Sequence, residues 1–292
     1  MILLDGRQTS AKIKEEIAAT VSQMKQQNQR VPHLAAVLVG MDGASMTYVG
    51  AKVRACELVG FDSTLVELPE DTSECELLNQ IKALNDNPDI DGFIVQLPLP
   101  KHIVDQKILM AIAPNKDVDG FHPVNVGRLT LDLPTFISAT PYGIMELLER
   151  YDIPTSGKHV VVIGRSHIVG RPMSILMSQK RKSGNATVTV AHSRTTNLEA
   201  LTKKADIVIA ALGIPKFLTA DMVKNDAVVI DVGITRVDDP STKKGYRIVG
   251  DVDFESVSKK ASHITPVPGG VGPMTIAMLL KNTLLARQRL KV

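Results

Sequence analysis

Seven short runs of aliphatic and β-branched residues recur along the chain, and amphipathic stretches separate them. They are "HLAAVLVG" (33–40), "STLVEL" (63–68), "IDGFIVQL" (90–97), "HVVVIG" (159–164), "ATVTVA" (186–191), "ADIVIAAL" (205–212) and "AVVIDVG" (227–233). Near-continuous apolar character over so short a length is what a strand buried on both faces requires. Between them, segments near 7–29, 45–59, 73–86, 103–112, 138–150, 170–180 and 275–290 read as helices. Regular alternation of the two predicts parallel sheets joined by right-handed crossovers, an α/β architecture. No internal repeat and no low-complexity segment is legible.

The runs fall into two groups. Three precede "APNKDVDGFHPVNVGRLTLDLPTF" (113–136), which is long for a connection and therefore a functional candidate; four follow residue 158. A chain of 292 residues suits two domains. The boundary falls near residue 138. Residues 1–138 form an α/β domain to which 266–292 return, and 139–265 form a Rossmann-like parallel-sheet domain. The formal net charge is only +3. The basic runs at Lys180–Lys182 and Lys243–Lys244 lack interleaved aromatics and read as solvated surface, so no nucleic-acid partner is expected. Cys56 and Cys75 stand alone, which argues against a disulfide framework or a metal site and fits a reducing compartment. The first residues, "MILLDGRQTSAKIKEE", meet charge too early for a signal-peptide core, and no apolar run approaches the roughly 18 residues of a membrane span. A cytoplasmic protein with no membrane partner is expected.

"VVVIGRSHIVGRP" (160–172) has the strand–turn–helix context of a dinucleotide-binding turn but not the usual spacing. Its glycines are Gly164 and Gly170, with Ser166 and Val169 where the second and third glycines would stand. A helix beginning near Gly170 offers free N–H groups to a pyrophosphate, and Pro172 is tolerated in its first turn. A bare structural turn is the alternative reading. The next strand ends in "VAHSRT" (190–195), without the acid that binds a ribose diol. Ser193, Arg194 and the nearby Arg165 suit a 2′-phosphate instead, which favours NADP; whether Arg194 or Arg171 touches it stays open. His192 reads as a structural hydrogen-bonding residue.

The first domain carries a second constellation. In "GASMTYVGAKVRACELVG" (43–60), Ser45 can cap a helix and Gly60 can end it, with Val49, Val53, Cys56 and Val59 as the core stripe. Tyr48 and Lys52 are four apart and project side by side. Lys52 is either a proton carrier with a lowered pKa or a lysine that snorkels past a packed tyrosine. Gln96 ends the run "GFIVQLPLP" (92–100) at a strand's C-terminal end, where open α/β sheets bind ligands. "KDVDGFHP" (116–123) holds two aspartates, either turn formers or acceptors for a polar heterocycle.

Together, "YVGAKVRAC", "GFIVQLPLP", "KDVDGF", "GRSHIVGRP" and "TPVPGGVGPMT" (265–275) resemble the bifunctional methylenetetrahydrofolate dehydrogenase/methenyltetrahydrofolate cyclohydrolase family, in order and over essentially the whole chain. The resemblance implies NADP-dependent oxidation of 5,10-methylenetetrahydrofolate and hydrolysis of the methenyl product to 10-formyltetrahydrofolate. It makes Lys52 the catalytic lysine, Gln96 its holder and Tyr48 a residue that packs on and hydrogen-bonds the substrate. Asp119 becomes the pterin anchor, and Pro268, Gly269 and Gly270 a wall of the folate cleft. Gly164, Arg165, Ser166, Ser193 and Ile234 become NADP contacts. Tetrahydrofolate derivatives are the implied partners, and a homodimer through the nucleotide domain is the implied assembly. Ala139 and Ala191 stand where the family often has cysteine. Two alternatives are another NAD(P)-dependent Rossmann oxidoreductase and a non-catalytic folate- or nucleotide-binding module.

Overall fold

The computed structural model describes residues 1–40, 43–242 and 245–289, less the side chains of Ala44 and Ser45. The helix cap expected at Ser45 and the Lys243–Lys244 run lie outside the described residues. The chain divides into two compact units. One comprises Ala11–Ala139 and Ile276–Val292, the other Met1–Ser10 and Thr140–Thr275. The first ten residues thus group with the second unit, not the first, because β1 (Ile2–Leu3) pairs in parallel with His263–Ile264.

From β1 the chain enters α1 (Gly6–Gln26), which leads into the first unit. There follow β2 (His33–Val39), α2 (Gly43–Val59), β3 (Asp62–Leu68), α3 (Glu74–Asp86), β4 (Gly92–Val95), α4 (Asp105–Ala111) and α5 (Pro123–Thr130). The strands form a parallel sheet in the order β3–β2–β4. Central β2 is buried from Leu34 to Val39, which explains its unbroken apolar run. Ser73 and Glu76 close a capping box at the start of α3, and Leu77, Ile81 and Leu84 bury its inner face. The stretch expected as a long loop contains a helix. Pro123 opens α5 and the His122 ring accepts the Val124 N–H at 3.1 Å. Ahead of it, the carbonyl of Lys116 accepts the Phe93 N–H at 2.9 Å, and Val118 lies where a side chain on Gly92 would be. The 116–119 segment therefore runs along the edge of β4.

The second unit holds α6 (Ala139–Arg150), β5 (His159–Ile163), α7 (Gly170–Ser178), β6 (Thr187–Ala191), α8 (Leu198–Thr202), β7 (Ile207–Ala210) and β8 (Val228–Asp231). The hairpin β9 (Thr235–Asp238) and β10 (Tyr246–Val249), then α9 (Phe254–Val257), β11 (His263–Ile264) and α10 (Val271–Arg289) complete the chain. Six parallel strands run in the order β1–β11–β8–β7–β5–β6. All seven sequence runs are strands; β1, β9, β10 and β11 were too short or too polar to announce themselves. From Ile276 onward α10 belongs to the first unit, where Asn282 donates to the carbonyls of Val118 (2.8 Å) and Ile137 (2.9 Å). Among the described residues no helix is long and apolar enough to cross a membrane.

Candidate active site

In the first unit, α2 buries Val49, Cys56 and Val59 in the core, while Val53 is only half-buried. Lys52 is 8% exposed, so it does not snorkel. Its Nζ donates to Gln96 Oε1 at 3.1 Å and lies 5.8 Å from the centre of the Tyr48 ring. Gln96 is fixed in turn, because its backbone N–H meets Val37 O at 2.9 Å and its Nε2 donates to Leu97 O at 2.6 Å. That second bond settles which end of the amide faces the lysine.

Burial lowers the Lys52 pKa, and the nearby Asp119 carboxylate acts against this. Burial raises Asp119, with Lys52 pulling it down and Asp117 pushing it up. Tyr48 is raised by burial and stays a neutral phenol. The two aspartates of "KDVDGF" part company here. Asp117 Oδ2 accepts the His122 N–H (2.7 Å) and the Asn125 amide (2.9 Å), the work of a loop organiser. Among the described residues Asp119 accepts no such bonds, and its carboxylate acts on the lysine through charge. A desolvated amine held by an uncharged amide gives up its proton more readily than a free lysine, which suits a group that transfers protons.

In the second unit, Gly164 follows β5 at φ +126°, and a side chain there would collide with the Ala211 carbonyl oxygen. A side chain on Gly170 would strike the Gly164 carbonyl. Both glycines are therefore required by close backbone approach. Ser166 Oγ accepts the N–H groups of Val169 (3.1 Å) and Gly170 (3.4 Å), so a hydroxyl occupies the first donors of α7. Arg165, Ser166 and Ser193 are exposed. His192 is structural as expected, its Nδ1 accepting the Arg194 N–H at 3.2 Å. Ile234, beyond β8, is 58% exposed, an apolar side chain left uncovered at the strands' C-terminal end. In the segment before α10, the Gly269 carbonyl accepts the Arg7 N–H at 3.0 Å and the Pro266 carbonyl accepts that of Gly270 at 2.8 Å. Pro268, Gly269 and Gly270 lie in this unit, and Lys52, Gln96, Tyr48 and Asp119 in the other. Two buried acids, Asp231 and Asp251, were not singled out from sequence. Their only signal is an acid closing the apolar run "VVID" and another in "VGDVD".

A buried lysine held by an amide in one unit and a glycine-hinged strand–turn–helix in the other are the two candidate centres of the chain. The chain belongs to the tetrahydrofolate dehydrogenase/cyclohydrolase family: residues 4–119 match its catalytic domain and residues 138–291 its NAD(P)-binding domain. It is 68% identical over 292 residues to the bifunctional protein FolD of Flavobacterium psychrophilum, covering 100% of this chain and 99% of the relative. Among solved structures, the Campylobacter jejuni bifunctional FolD methylenetetrahydrofolate dehydrogenase/cyclohydrolase is 49% identical with a TM-score of 0.93, covering 99% of both chains. The Trypanosoma brucei enzyme, solved with NADP and an inhibitor, is 39% identical with a TM-score of 0.94, covering 100% of this chain and 98% of that one.

Proposed function

We propose that the chain oxidises 5,10-methylenetetrahydrofolate with NADP⁺ and hydrolyses the resulting 5,10-methenyltetrahydrofolate to 10-formyltetrahydrofolate, with Lys52 as the proton carrier of the second step. The observation that carries the assignment is the buried Lys52 Nζ held at 3.1 Å by Gln96 Oε1.

The turn fits a dinucleotide by its strand–turn–helix context, in which Gly164 and Gly170 let the loop pack closely on the Ala211 carbonyl and on itself. Gly164, Arg165 and Ser166 would hold its diphosphate side, Ser193 its 2′-phosphate and Ile234 its nicotinamide end. The absence of an acid after β6 supports NADP over NAD. When bound, NADP⁺ supplies the hydride acceptor. Removing hydride from the methylene carbon needs no protein base, since the two flanking nitrogens stabilise the cation. The chain's contribution is alignment, which supplies about 7–11 kcal/mol in well-oriented reactions. Asp119 would anchor the pterin donors, Tyr48 would pack on the ring, and Pro268, Gly269 and Gly270 are folate contacts by resemblance.

Ring opening does need proton transfer. Water adds through oxygen to the methenyl carbon and loses a proton. The bond from that carbon to N5 then breaks as N5 gains a proton and the added hydroxyl gives up its own to solvent. This leaves the formyl carbonyl, with one proton released overall. Lys52 would accept the first proton and deliver the second. A partner carboxylate would hold the amine protonated; the Gln96 amide orients it without that penalty. The family resemblance further supports a cytoplasmic homodimer through the nucleotide-binding unit, which light scattering of the purified protein tests.

Lys52→Met keeps most of the stem and removes the titrating group. Decay of supplied methenyltetrahydrofolate, corrected for spontaneous hydrolysis, is expected to fall by about 10²–10⁴. Near-normal decay removes Lys52 from the mechanism.

A further inference from the structure

Two carboxylates sit inside the second unit at the C-terminal ends of its strands, and the proposed chemistry uses neither. Asp231 closes β8 at 3% exposure, and Asp251, between β10 and α9, is fully buried. Among the described residues, every hydrogen bond these two carboxylates accept comes from a backbone N–H. Asp231 accepts from Gly233 (2.9 Å), from Asp251 itself (2.8 Å) and from Val252 (3.0 Å). Asp251 Oδ2 accepts from Leu212 (2.6 Å) and Gly213 (2.9 Å), which follow Ala211 in the loop after β7. Asp251 Oδ1 is buried and has no hydrogen-bond partner among the described residues.

The bonds form a chain of custody through the backbone. Asp231 holds the backbone of Asp251, and Asp251 holds Leu212–Gly213. Next to these stands Ala211, whose carbonyl lies where a side chain on Gly164 would be. Gly164 is the hinge of the dinucleotide turn. Space for both acids is kept by glycines: a side chain on Gly250 would run into the Asp231 carboxylate, and one on Gly233 into that of Asp251. Two neighbouring buried carboxylates are a costly way to tie loops, since burial pushes Asp231 up to about 6 with Asp251 adding to the rise.

We propose that Asp231 and Asp251 are positioning residues for the dinucleotide: they clasp the loop after β7 and so set the Gly164 turn that receives the cofactor. This rests on the assignment of that turn to NADP. Neither acid needs to touch the ligand, and neither takes part in ring opening.

The test compares Asp251→Ala with Asp251→Asn, whose amide oxygen can still accept from Leu212 and Gly213. In the alanine variant KM for NADP⁺ should rise about tenfold while kcat at saturation stays within about threefold, and asparagine should restore most of the affinity. Decay of supplied methenyltetrahydrofolate should stay at the wild-type rate in both. An unchanged KM in the alanine variant overturns the inference, as does methenyl decay that falls in step with NADP⁺ affinity. If alanine prevents folding, amide exchange on the wild-type protein decides: Leu212 and Gly213 should gain protection when NADP⁺ is added, and unchanged protection overturns the proposal. Wild-type protein without NADP⁺-dependent oxidation overturns the cofactor assignment and the clasp together. A competent wild type beside an indifferent alanine variant overturns the clasp alone.

Discussion

At the start of β2, the His33 backbone N–H meets Asp91 at 2.8 Å and its Nε2 shares a hydrogen bond with the Thr64 hydroxyl at 2.8 Å. At the start of β5, His159 does the same with Asp206 at 2.9 Å and Thr189 at 2.9 Å. The register agrees as well. Ala35 faces Thr64 and Val161 faces Thr189, so each threonine lies opposite the residue two beyond its histidine. Each aspartate holds a cation, Arg30 at 2.6 Å and Lys224 at 2.6 Å. The strand orders β3–β2–β4 and β6–β5–β7 complete the parallel.

The C-terminal ends differ. Gln96 and Ala211 stand at matching places, with backbone N–H bonds to Val37 O (2.9 Å) and Ile163 O (2.8 Å). Gln96 carries an amide that holds Lys52; Ala211 carries a methyl group and lets its carbonyl pack on Gly164. One backbone scheme thus serves a proton carrier in one unit and a ligand turn in the other. The floor of each sheet is a structural device and the rim is where chemistry is grafted.

The strongest way to break the parallel is at the two aspartates. Asp91 is fully buried and takes both arms of the Arg30 guanidinium, at 2.6 and 3.0 Å. Asp91→Ala removes that ion pair and leaves the His33 N–H without its acceptor. Arg30 keeps the Asp89 carbonyl at 2.8 Å, so the expected loss is about 2–3 kcal/mol in urea unfolding. The Asp206–Lys224 pair is solvated, so Asp206→Ala should lose only about 1 kcal/mol. Lys224 holds the Asp206 carboxyl below its usual range. That share of stability is present above the unfolded carboxylate pKa and is lost as acid titrates the folded group. Equal losses at the two sites would show that burial does not separate them.

At the rim, Gln96→Glu sharpens the contrast. A carboxylate in place of the amide raises the Lys52 pKa that burial lowers. One unit of rise leaves about tenfold less free amine at neutral pH, so ring opening should fall about tenfold there. The rising limb of its pH profile should move to higher pH by the same amount. A slower enzyme with an unmoved limb would mean that Gln96 matters for geometry alone.

How much of this was legible follows from the physics of each end. The buried central strands announced themselves because both faces must be apolar. The repeat did not, because its floor rests on single polar residues, His33 with Asp91 and His159 with Asp206, in otherwise unlike segments. Lys52 and Gln96 were readable as candidates from helical spacing and strand end, but not as a contact across 44 residues. Nothing in "KDVDGF" separates Asp117 from Asp119; only the His122 and Asn125 donors on Asp117 do. Helix α5 was hidden because a proline and a glycine lie within eight residues.

The smallest expected effect tests the parallel most closely. Thr64→Val and Thr189→Val each remove the hydroxyl bonded to a histidine ring while keeping the shape. Both threonines are half-buried in parallel strands, and valine suits a strand at least as well. Each should therefore lose ~1 kcal/mol, the net worth of one hydrogen bond. The corresponding fall is about 2–4 °C in the Tm of the unit that holds it. The informative quantity is the difference between the two variants, since shared register and shared partners predict nearly equal losses. If one variant loses stability and the other does not, the histidine–threonine bond supports only one sheet, and the likeness of the two floors is one of backbone register alone.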